Sequence, residues 1–399
     1  MKALIAGAGI GGLATGIALA LRGWHVQVFE RAPALEEIGA GLQISPNGWR
    51  VLEALGVAQA LRPTVFEPEA IEMRLGRSGR RVFHLPMRGY AVARWGAPFM
   101  HVHRADLHSV LAARLETLQP GAVALDQDVT GYAQDGTAVM LQRGDAEDVT
   151  GDVLIGADGW RSVIRTQMLG AGRPTYTGNI AWRAVVPVDA LGAHAPPPTA
   201  CIWAGDKRHA VTTRLRGGQL ANFVGLVEEP EPAPEGWRVE GDRAQAQAAF
   251  AGWHPTIAAI LASAPTLNRW ALFDRPPLSR WHDGRVALLG DAAHPMLPSL
   301  AQGAVMALED AWVLAGALAA RDRVEDGLQA YFDLRIARTA RVQQVSRANA
   351  RLFHKGSTLG QLGFYGPMAI GARLFPGLIH ARQDWVYRYD ALAVFPAPD

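Results

Sequence analysis

Three glycines near the start of the chain have the type and spacing that a bound dinucleotide requires. They form Gly7-x-Gly9-x-x-Gly12, directly after the apolar run 2–6 and directly before a segment with helical apolar spacing. Gly7 allows a tight turn, Gly9 lets a pyrophosphate approach the backbone, and Gly12 lets helix and strand pack closely. The helix N-terminus adds free N–H groups for the phosphates. The stretch predicts a phosphate-binding turn, with a glycine-rich turn that binds nothing as the alternative.

A glutamate follows at the distance at which such sites place the partner of a ribose. Glu30 ends the next apolar run, 25–30, and its carboxylate can accept hydrogen bonds from a ribose diol. A negative charge at this position disfavours a ribose 2′-phosphate. The bound dinucleotide is therefore predicted to be FAD or NAD rather than NADP.

Two more acidic residues follow apolar runs much later in the chain. Asp158 stands in the sequence GADG after the run 152–155, and Asp291 follows Gly290 after the run 286–289. The carboxyl ends of parallel strands line one crevice, where ligands bind. We therefore expect one long dinucleotide to touch all three turns. Asp158 has an alternative role as an ordinary helix cap, and the sequence leaves both open.

Composition bounds the classes of protein that this chain can represent. Its 399 residues are 49% hydrophobic and 19% charged, which indicates a globular protein of about two domains. A net charge of +2 and the lack of a basic stripe argue against nucleic acid. Cys201 is the single cysteine, so disulfides and a cysteine zinc site are excluded, and no metal is predicted. Glycines interrupt the apolar N-terminus, so we expect no signal peptide, no membrane span and a cytoplasmic location.

The elements that must position these residues predict an α/β fold. A Rossmann-like dinucleotide-binding domain with a parallel sheet is expected over 1–173, which the resemblance described below makes an FAD-binding domain of the glutathione reductase type. Residues 66–103 are expected to contribute strands to a second sheet. Short alternating runs predict a mixed or antiparallel substrate-binding sheet over 174–272. Residues 273–399 are expected to return to the first domain and end in helices, about 303–321 and 325–353. The many arginines of the second helix are expected to be solvated.

Taken in order, the motifs resemble a known enzyme family. GxGxxG, GADG and the late stretch GDAAHPMLPSLAQGAVMALEDA are joined by GAGLQISPN (39–47), HRADL (103–107), RGGQLANFV (216–224) and DWVYRYD (384–390). Together they are similar to the FAD-dependent aromatic hydroxylases, the class A flavoprotein monooxygenases of the para-hydroxybenzoate hydroxylase type. The branch that they most resemble contains salicylate hydroxylase, 3-hydroxybenzoate 6-hydroxylase and 6-hydroxynicotinate 3-monooxygenase.

The resemblance implies an activity. Such an enzyme binds FAD tightly without a covalent bond, takes NADH or NADPH as a transient co-substrate, and hydroxylates a small aromatic compound with O2 through a flavin C4a-hydroperoxide. The substrate would be a phenolic acid or an N-heteroaromatic compound, and the enzyme a monomer or homodimer. The alternatives are a flavin-dependent reductase or oxidase on the same fold, and a non-enzymatic FAD- or NAD-binding module.

The resemblance also implies roles for individual residues. Glu30 would hold the adenosine ribose, Arg104 the pyrophosphate region and Asp291 the ribityl chain. Pro298 would lie by the reactive edge of the flavin, as a catalytic residue as well as a cofactor contact. A helix that begins near Gly303 would direct its N–H groups and partial positive charge at the pyrimidine end. The full predicted cofactor set is Gly7, Gly9, Gly12, Glu30, Arg31, Gly41, Leu42, Arg104, Asp158, Asp291, Pro298, Gly303, Ala304 and Val305.

The predicted substrate residues are Gln43, Cys201, His209, Thr213 and Arg214. His209 is the predicted base, because the pKa of histidine lies near working pH and a base on a phenol raises electron density in the ring. The alternative for His209 is a surface histidine at a strand end. Relatives tend to carry Tyr-Pro where this chain has Thr213-Arg214, and Arg214 either binds a substrate carboxylate or points to solvent. Cys201 is expected to be a small pocket or core residue rather than a nucleophile.

Overall fold

The structure is a computed structural model that describes residues 1–35, 41–233, 239–354 and 358–398. The start of the motif 39–47 lies outside the described residues, as does the end of the proline- and acid-rich stretch 228–236, for which the sequence predicts an exposed loop. The strands are β1 Lys2–Ala6, β2 His25–Phe29, β3 Gly41–Ile44, β4 Ala70–Leu75, β5 Arg81–Pro86, β6 Met100–His103, β7 Val123–Ala124, β8 Val129–Gln134, β9 Val139–Arg143, β10 Val149–Gly151, β11 Val153–Gly156, β12 Thr175–Pro187, β13 Ala200–Gly205, β14 Arg208–Leu215, β15 Leu220–Glu228, β16 Asn268–Asp274, β17 His282–Asp283 and β18 Val286–Leu288.

The helices follow in the same chain order, and several of them are short. They are α1 Ile10–Ala20, α2 Pro46–Ala54, α3 Ala58–Leu61, α4 Tyr90–Trp95, α5 Arg104–Leu118, α6 Val163–Leu169, α7 Arg243–Ala249, α8 Pro255–Ser263, α9 Gly303–Ala319, α10 Val324–Leu352, α11 Thr358–Leu374, α12 Pro376–Ala381, α13 Asp384–Tyr387 and α14 Ala391–Val394. Within the described residues, no helix combines the length and the apolarity that crossing a bilayer needs. The two long helices predicted in the tail are α9 and α10, and α11 to α14 extend beyond them.

A six-stranded sheet in the order β17-β18-β11-β1-β2-β7 organises the first part of the fold. Its central strands are buried and apolar along their length, as parallel strands covered on both faces require. The registers place four strand ends side by side, because Ala6 pairs with Phe29 and Gly156, and Gly156 pairs with Leu288. The expectation that distant turns meet at one edge of a parallel sheet is therefore confirmed.

A seven-stranded sheet in the order β16-β12-β15-β14-β13-β4-β5 forms the second layer. Its neighbours are antiparallel except β13 and β4, which run parallel, so the predicted mixed sheet is confirmed. Of the segment 66–103, β4 and β5 join this sheet, whereas α4 is helical and β6 pairs with β3 in a separate ribbon. One face of the sheet packs on α7 and α8 around Trp182, Phe223 and Ile257.

A cluster of buried charges joins α9 to α10 and corrects the expectation that the arginines of α10 are solvated. The Arg335 side chain is 0% exposed and lies 2.7 Å from both Glu309 and Asp310. Arg338, 9% exposed, donates from Nε to Glu309 at 2.7 Å. Burial alone would raise the pKa of Glu309, but the charges of Arg338 and Arg335 outweigh it and hold that pKa below its usual range. Because α10 is mostly polar, its sequence does not show that two of its arginines face α9.

Candidate active site

A cleft of about 460 Å³ lies between the strand ends of the parallel sheet and the free face of the seven-stranded sheet. The glycine-rich turn at Gly9, the loop from Met296 to Ala301 and the start of α9 form one wall. Side chains of β12 to β16 form the other. The cleft thus brings together turns that are nearly 300 residues apart in sequence.

The three glycines of the first motif fulfil three different requirements. Gly7 has φ +98°, and a Cβ there would lie 2.6 Å from the carbonyl oxygen of Ala157. A Cβ on Gly12 would lie 1.9 Å from the carbonyl oxygen of Gly7, so helix and strand pack through this position. A Cβ on Gly9 would meet no atom within 4 Å, and Gly9 lines the cleft. The protein leaves open the space at Gly9 that a bound phosphate needs, so the turn fits a dinucleotide.

Glu30 is fixed at the edge of this turn by two backbone groups. Its Oε2 accepts a hydrogen bond from the N–H of Ala8 at 2.9 Å, and its Oε1 accepts one from Ala32 at 3.0 Å. Each carboxylate oxygen can still accept a second bond, so a ribose diol remains a possible partner. The neighbouring Arg31 is exposed and is not part of the cleft wall.

Asp158 is a helix cap in this structure. Its Oδ2 accepts hydrogen bonds from the N–H groups of Val163 at 2.7 Å and Ile164 at 3.2 Å, at the start of α6. Its neighbours Ala157 and Gly159 line the cleft, whereas the Asp158 side chain does not. Of the two roles that the sequence left open, capping accounts for the observed bonds.

Asp291 faces the space of the cleft from the end of β18. Gly290 before it has φ +60°, a left-handed conformation that brings the chain sharply out of the strand. Asp291 is exposed to the open cleft, and the charges of His294, Arg104 and Arg165 act on its carboxylate. Arg104 lines the same cleft, so a carboxylate and a guanidinium both face it.

The loop before α9 delivers a helix N-terminus to the cleft. A 3-10 turn starts at Pro298, Ala301 adopts a left-handed conformation, and the first bond of α9 runs from the N–H of Met306 to the carbonyl of Gln302. The preceding N–H groups, those of Gly303, Ala304 and Val305, have no acceptor within the helix. Together they carry about +0.5 elementary charge.

Gly303 and Val305 differ in what they present to the cleft. A Cβ on Gly303 would meet nothing within 4 Å, so a flat ring can approach the backbone there. The Val305 side chain is buried and points at Gly48, whose Cβ would lie 2.9 Å from it. Val305 is not among the residues that line the cleft, whereas Gly303 and Ala304 are.

Hydrogen bonds tie the segment after β3 to the start of α9. Gln302 donates from Nε2 to Ser45 Oγ at 2.9 Å, and Asn47 donates from Nδ2 to Gln302 Oε1 at 3.2 Å and to Glu309 Oε1 at 2.7 Å. All four side chains are buried. The network holds β3 beside α9, so that Gln43 reaches the cleft.

The predicted residues Gly41 and Leu42 also lie in the cleft wall, on β3. The N–H of Gly41 donates to Asn222 Oδ1 at 3.0 Å, and a Cβ on Gly41 would lie 2.8 Å from the Asn222 amide. The glycine thus lets β3 contact the seven-stranded sheet closely. This contact joins the two layers next to the cleft.

Side-chain alternation along the seven-stranded sheet decides which predicted substrate residues reach the cleft. Successive side chains of a strand point to opposite faces. His209 and Thr213 share a face of β14, and both line the cleft. Two other predictions need correction, because Cys201 pairs with Thr212 and Arg214 pairs with Ala221 on the opposite face.

The contacts of these two residues agree with that placement. Cys201 is 0% exposed within the core cluster against α7 and α8, and burial raises the pKa of its thiol above the usual range. The Arg214 guanidinium donates to the carbonyl of Pro196 at 2.6 Å rather than pointing to solvent. Neither residue contacts the cleft.

His209 is a buried cleft residue and not a surface histidine. It is 2% exposed, and its Nδ1 lies 2.7 Å from Nε2 of His354. Burial is the largest cause that lowers the pKa of His209, to about 3. The ring is therefore neutral at pH 7, with Nε2 as the nitrogen left for a ligand.

Several cleft residues were not predicted from the sequence. They include Arg183, Asn222, Trp270, Asn349, Phe353, Gln383 and Tyr387. Strand alternation from His209 and Thr213 across to β15 and β12 would have found Asn222 and Arg183. Tyr387 lies inside the DWVYRYD motif, which supported the family resemblance but predicted no role for its residues. Asn349 and Phe353 come from the end of α10 and have no local signal.

Comparison with known proteins assigns the family. A family model described as FAD binding domain matches residues 1–347. The chain belongs to this family. It is 35% identical over 357 residues to 6-hydroxynicotinate 3-monooxygenase of Bordetella bronchiseptica, covering 87% of this chain and 91% of that protein. It is 37% identical over 366 residues to 3-hydroxybenzoate 6-hydroxylase of Polaromonas naphthalenivorans, covering 89% and 88%.

A solved structure shares the fold over almost the full length. The crystal structure of Klebsiella pneumoniae HpxO complexed with FAD and uric acid matches with a TM-score of 0.84 at 28% identity, covering 95% of this chain and 96% of that chain. The predicted family, fold class and enzyme class are confirmed. The chain is an FAD-dependent monooxygenase of the aromatic hydroxylase class that uses NAD(P)H and O2. The alternative of a reductase or oxidase is not favoured.

Proposed function

We propose that the cleft binds a small hydroxylated aromatic ring, a phenolic acid or an N-heteroaromatic compound, and that His209 accepts the proton of its ring hydroxyl. The observation that most supports this proposal is the buried, neutral His209 ring, which lies in the wall opposite the loop at Pro298. Val211, Val224 and Leu226 give the same wall an apolar surface suited to an aromatic ring. Relatives named for 6-hydroxynicotinate and 3-hydroxybenzoate support this class of ligand.

We assign recognition of a substrate carboxylate to Arg183, in place of Arg214. Arg183 lies on β12 on the cleft side of the sheet, over the ring of Trp270 at 5.0 Å. Arg183 pairs with Val224, which pairs with Val211. Arg183 is therefore two strands from β14 and level with Val211, two residues after His209. At about 4.8 Å between strands, the two side chains can bracket a substituted ring. A guanidinium binds a carboxylate through two parallel hydrogen bonds.

The residues proposed to hold FAD are those of the opposite wall. Glu30 would accept from the adenosine ribose, the turn at Gly9 would take the pyrophosphate, and Asp291 would accept from the ribityl hydroxyls. The N–H groups of Gly303, Ala304 and Val305 would stabilise the electron-rich end of the ring, and Pro298 would shape the space beside it. Bound FAD supplies the redox and oxygen-transfer chemistry, and the protein supplies position and charge.

Substrate identity is tested by a screen of the FAD-loaded protein. Hydroxybenzoates, hydroxypyridines and hydroxyquinolines are each added with NADH or NADPH, and cofactor oxidation is followed together with product mass. We expect at least one compound to accelerate oxidation and to gain one oxygen atom. Faster oxidation by every member with only hydrogen peroxide as product would contradict the proposal.

Variants test the two assigned side chains. His209→Gln is expected to lower kcat about 10²- to 10⁴-fold, the usual contribution of a positioned general base. Arg183→Gln is expected to raise KM about 10-fold or more for a carboxylated substrate, because a charge-assisted pair is lost. The same variant leaves KM nearly unchanged for the matching phenol without a carboxylate. An equal change for both compounds would argue against carboxylate recognition.

We also propose a cytoplasmic enzyme that is a monomer or homodimer. A single buried cysteine is compatible with a reducing compartment. Cell fractionation tests the location, and light scattering on the FAD-loaded protein tests the assembly.

A further inference from the structure

A continuous line of hydrogen-bonding groups leads from the substrate cleft to a second cleft beside it, on the same face of the seven-stranded sheet. His209 Nδ1 lies 2.7 Å from His354 Nε2, and His354 Nδ1 lies 2.6 Å from Glu228 Oε1. The residues are 145 and 126 positions apart in sequence, so tertiary structure alone brings them together. Their order in space is cleft, His209, His354, Glu228.

Exposure along this line rises in one direction. His209 is 2% exposed, and the side chains of His354 and Glu228 are 5% and 44% exposed. His354 and Glu228 line a second cleft of about 660 Å³, which does not include His209. Leu297 lines both clefts and stands between their openings. The line therefore begins at the substrate and ends at a space large enough for water.

The chemistry of the end group fixes where the protons lie. An ionised carboxylate only accepts hydrogen bonds, so His354 donates from Nδ1 to Glu228. When the His354 ring carries this one proton, its other nitrogen is an acceptor, so His354 Nε2 accepts from His209 Nδ1. His209 consequently carries its proton on Nδ1 and leaves the lone pair of Nε2 for the ligand. The hydrogen bonds thus prepare His209 as a base.

We propose that His209, His354 and Glu228 form a proton relay that carries the substrate hydroxyl proton out of the cleft to solvent. The O–H bond of the ring hydroxyl breaks as an N–H bond forms at His209 Nε2. The Nδ1 proton of His209 moves to His354 Nε2, and the Nδ1 proton of His354 moves to Glu228 Oε1. Glu228 then releases its proton to water in the second cleft. This inference rests on the proposed role of His209 as the base.

The relay solves a difficulty that a lone His209 would have. Burial disfavours an imidazolium at this position, so a proton that stayed on His209 would leave a costly buried charge. Passing the proton along removes that charge, because each histidine ends neutral with its proton on the other nitrogen. Of the three relay groups, only Glu228, which is partly exposed, changes its charge, while the substrate hydroxyl becomes an oxyanion.

Other charged groups face the outlet and belong to its pH dependence. Lys207 comes from the turn before β14, Glu229 from the end of β15 and Asp274 from β16. Arg347 of α10 is paired with Asp274, and Arg269 with Glu229 at 2.7 Å. Of this set, Arg347, Asp274, Arg269 and Glu229 are thus engaged with each other, and Lys207 is the cation beside the Glu228–His354 pair at the exit.

Nitrogen-15 NMR of histidine-labelled, FAD-loaded protein tests the proton positions without any substrate. His354→Gln and His209→Gln assign the two rings by loss of their signals. The relay requires the His209 and His354 rings each to carry a single proton, on Nδ1. A His209 ring protonated on Nε2, or a doubly protonated His209, would overturn the relay.

Kinetics with 3-hydroxybenzoate as the probe test the function of the outlet. Glu228→Gln and His354→Ala are each expected to lower kcat about 10²-fold, the lower end of what proton-transfer groups contribute. Added imidazole should restore much of the His354→Ala activity, because the second cleft admits it, and should have no effect on the wild type. Glu231→Gln, an exposed carboxylate in the same segment, is the control and should match the wild type.

The outcomes separate the relay from the proposed function. Normal kcat in His209→Gln contradicts the role of His209 itself. A deficient His209→Gln with normal Glu228→Gln and His354→Ala contradicts the relay alone. Equal losses in both outlet variants without rescue by imidazole would indicate a packing role for His354 and would also overturn the relay.

Discussion

The two walls of the cleft are built from different parts of the chain. The wall assigned to FAD consists of backbone at strand ends and at one helix start, and it depends on Gly7, Gly9, Gly12 and Gly303. The wall assigned to the substrate consists of side chains from one face of an antiparallel sheet. Backbone sites need particular conformations and bare positions, whereas a sheet face accepts any side chain of suitable size. The first wall is therefore constrained in sequence and the second is free to vary.

The largest expected effect separates two glycines of the first wall. Gly12→Ala places a Cβ 1.9 Å from the carbonyl oxygen of Gly7, so β1 and α1 cannot keep their packing. Gly9→Ala meets no protein atom within 4 Å and has φ −68°, so the protein can fold around it. We expect Gly12→Ala to abolish soluble folded protein. Gly9→Ala should keep the melting temperature of the FAD-free protein and lose FAD affinity.

Gly303→Ala is the matched case at the other end of the proposed cofactor site. Alanine favours a helix more than glycine by about 1 kcal/mol, so the FAD-free protein should be equally stable or more stable. FAD affinity, measured by flavin fluorescence, should fall. Unchanged FAD binding in both Gly9→Ala and Gly303→Ala would contradict the assignment of this wall to the cofactor.

The next effect concerns the buried charges that support α9 from behind. Arg335→Met leaves Asp310 with His294 and Glu309 with Arg338, and breaking a buried pair in this way costs about 3–5 kcal/mol. Urea unfolding of the FAD-loaded protein measures the change in the free energy of unfolding. Arg341→Met, on the same helix, is the control, since its guanidinium lies over Trp385 and outside the cluster. Equal loss in both variants would show that the helix and not the cluster matters.

The same cluster predicts loss of stability in acid. Burial raises the pKa of Asp310, but His294 and Arg335 outweigh it, so the pKa values of Asp310 and Glu309 both lie below the usual 3.8 and 4.5. A carboxylate with a depressed folded pKa stabilises the fold above its unfolded pKa and loses that contribution as the pH falls through the folded value. The wild type should therefore lose stability below about pH 4.5, and Arg335→Met should lose less over the same range.

The turns of the first wall could be located from the sequence because their signals are local. Strand, glycine turn and helix stand together at Gly7 to Gly12, and each turn of the parallel sheet can be recognised without knowing the others. The pairing of Ala6 with Gly156 and of Gly156 with Leu288 then follows from a parallel sheet. Asp158 shows the limit, because a cap and a ligand contact have the same sequence pattern.

The second wall could be predicted only in part, because the sequence does not show which residues of each strand face the cleft. One residue of error in strand register moves every side chain to the opposite face. Thr213 and Arg214 are adjacent, yet only Thr213 reaches the cleft, and Cys201 lies on the face of Thr212. His354 joins the site from a helix end that is distant in sequence, so no local pattern could indicate it.

Two neighbouring threonines, each changed to valine, test which face of the sheet lines the cleft. Thr212 Oγ1 accepts from Trp203 Nε1 at 3.0 Å in the core, and Thr213 Oγ1 accepts from Asn222 Nδ2 at 3.1 Å beside the cleft. Thr212→Val should destabilise the protein by about 1–3 kcal/mol, because the indole N–H loses its acceptor. It should leave KM unchanged. Thr213→Val should change KM with a smaller effect on stability, and the reverse pattern would show that the sheet faces are assigned the wrong way round.

The smallest expected effect is at Arg214, for which the sequence left open a substrate carboxylate or solvent. Arg214→Lys loses part of the bonding to the Pro196 carbonyl, a change of about 0.5–1.5 kcal/mol in the free energy of unfolding. Because the side chain lies on the face away from the cleft, kcat and KM for a carboxylated substrate should stay within twofold of the wild type. Arg183→Lys, the matched change on the cleft face, should raise KM, because an ammonium cannot form the paired bonds of a guanidinium. A raised KM in Arg214→Lys with a normal KM in Arg183→Lys would show that Arg214 binds the carboxylate. The face of the sheet that carries Arg214 would then have to line the cleft.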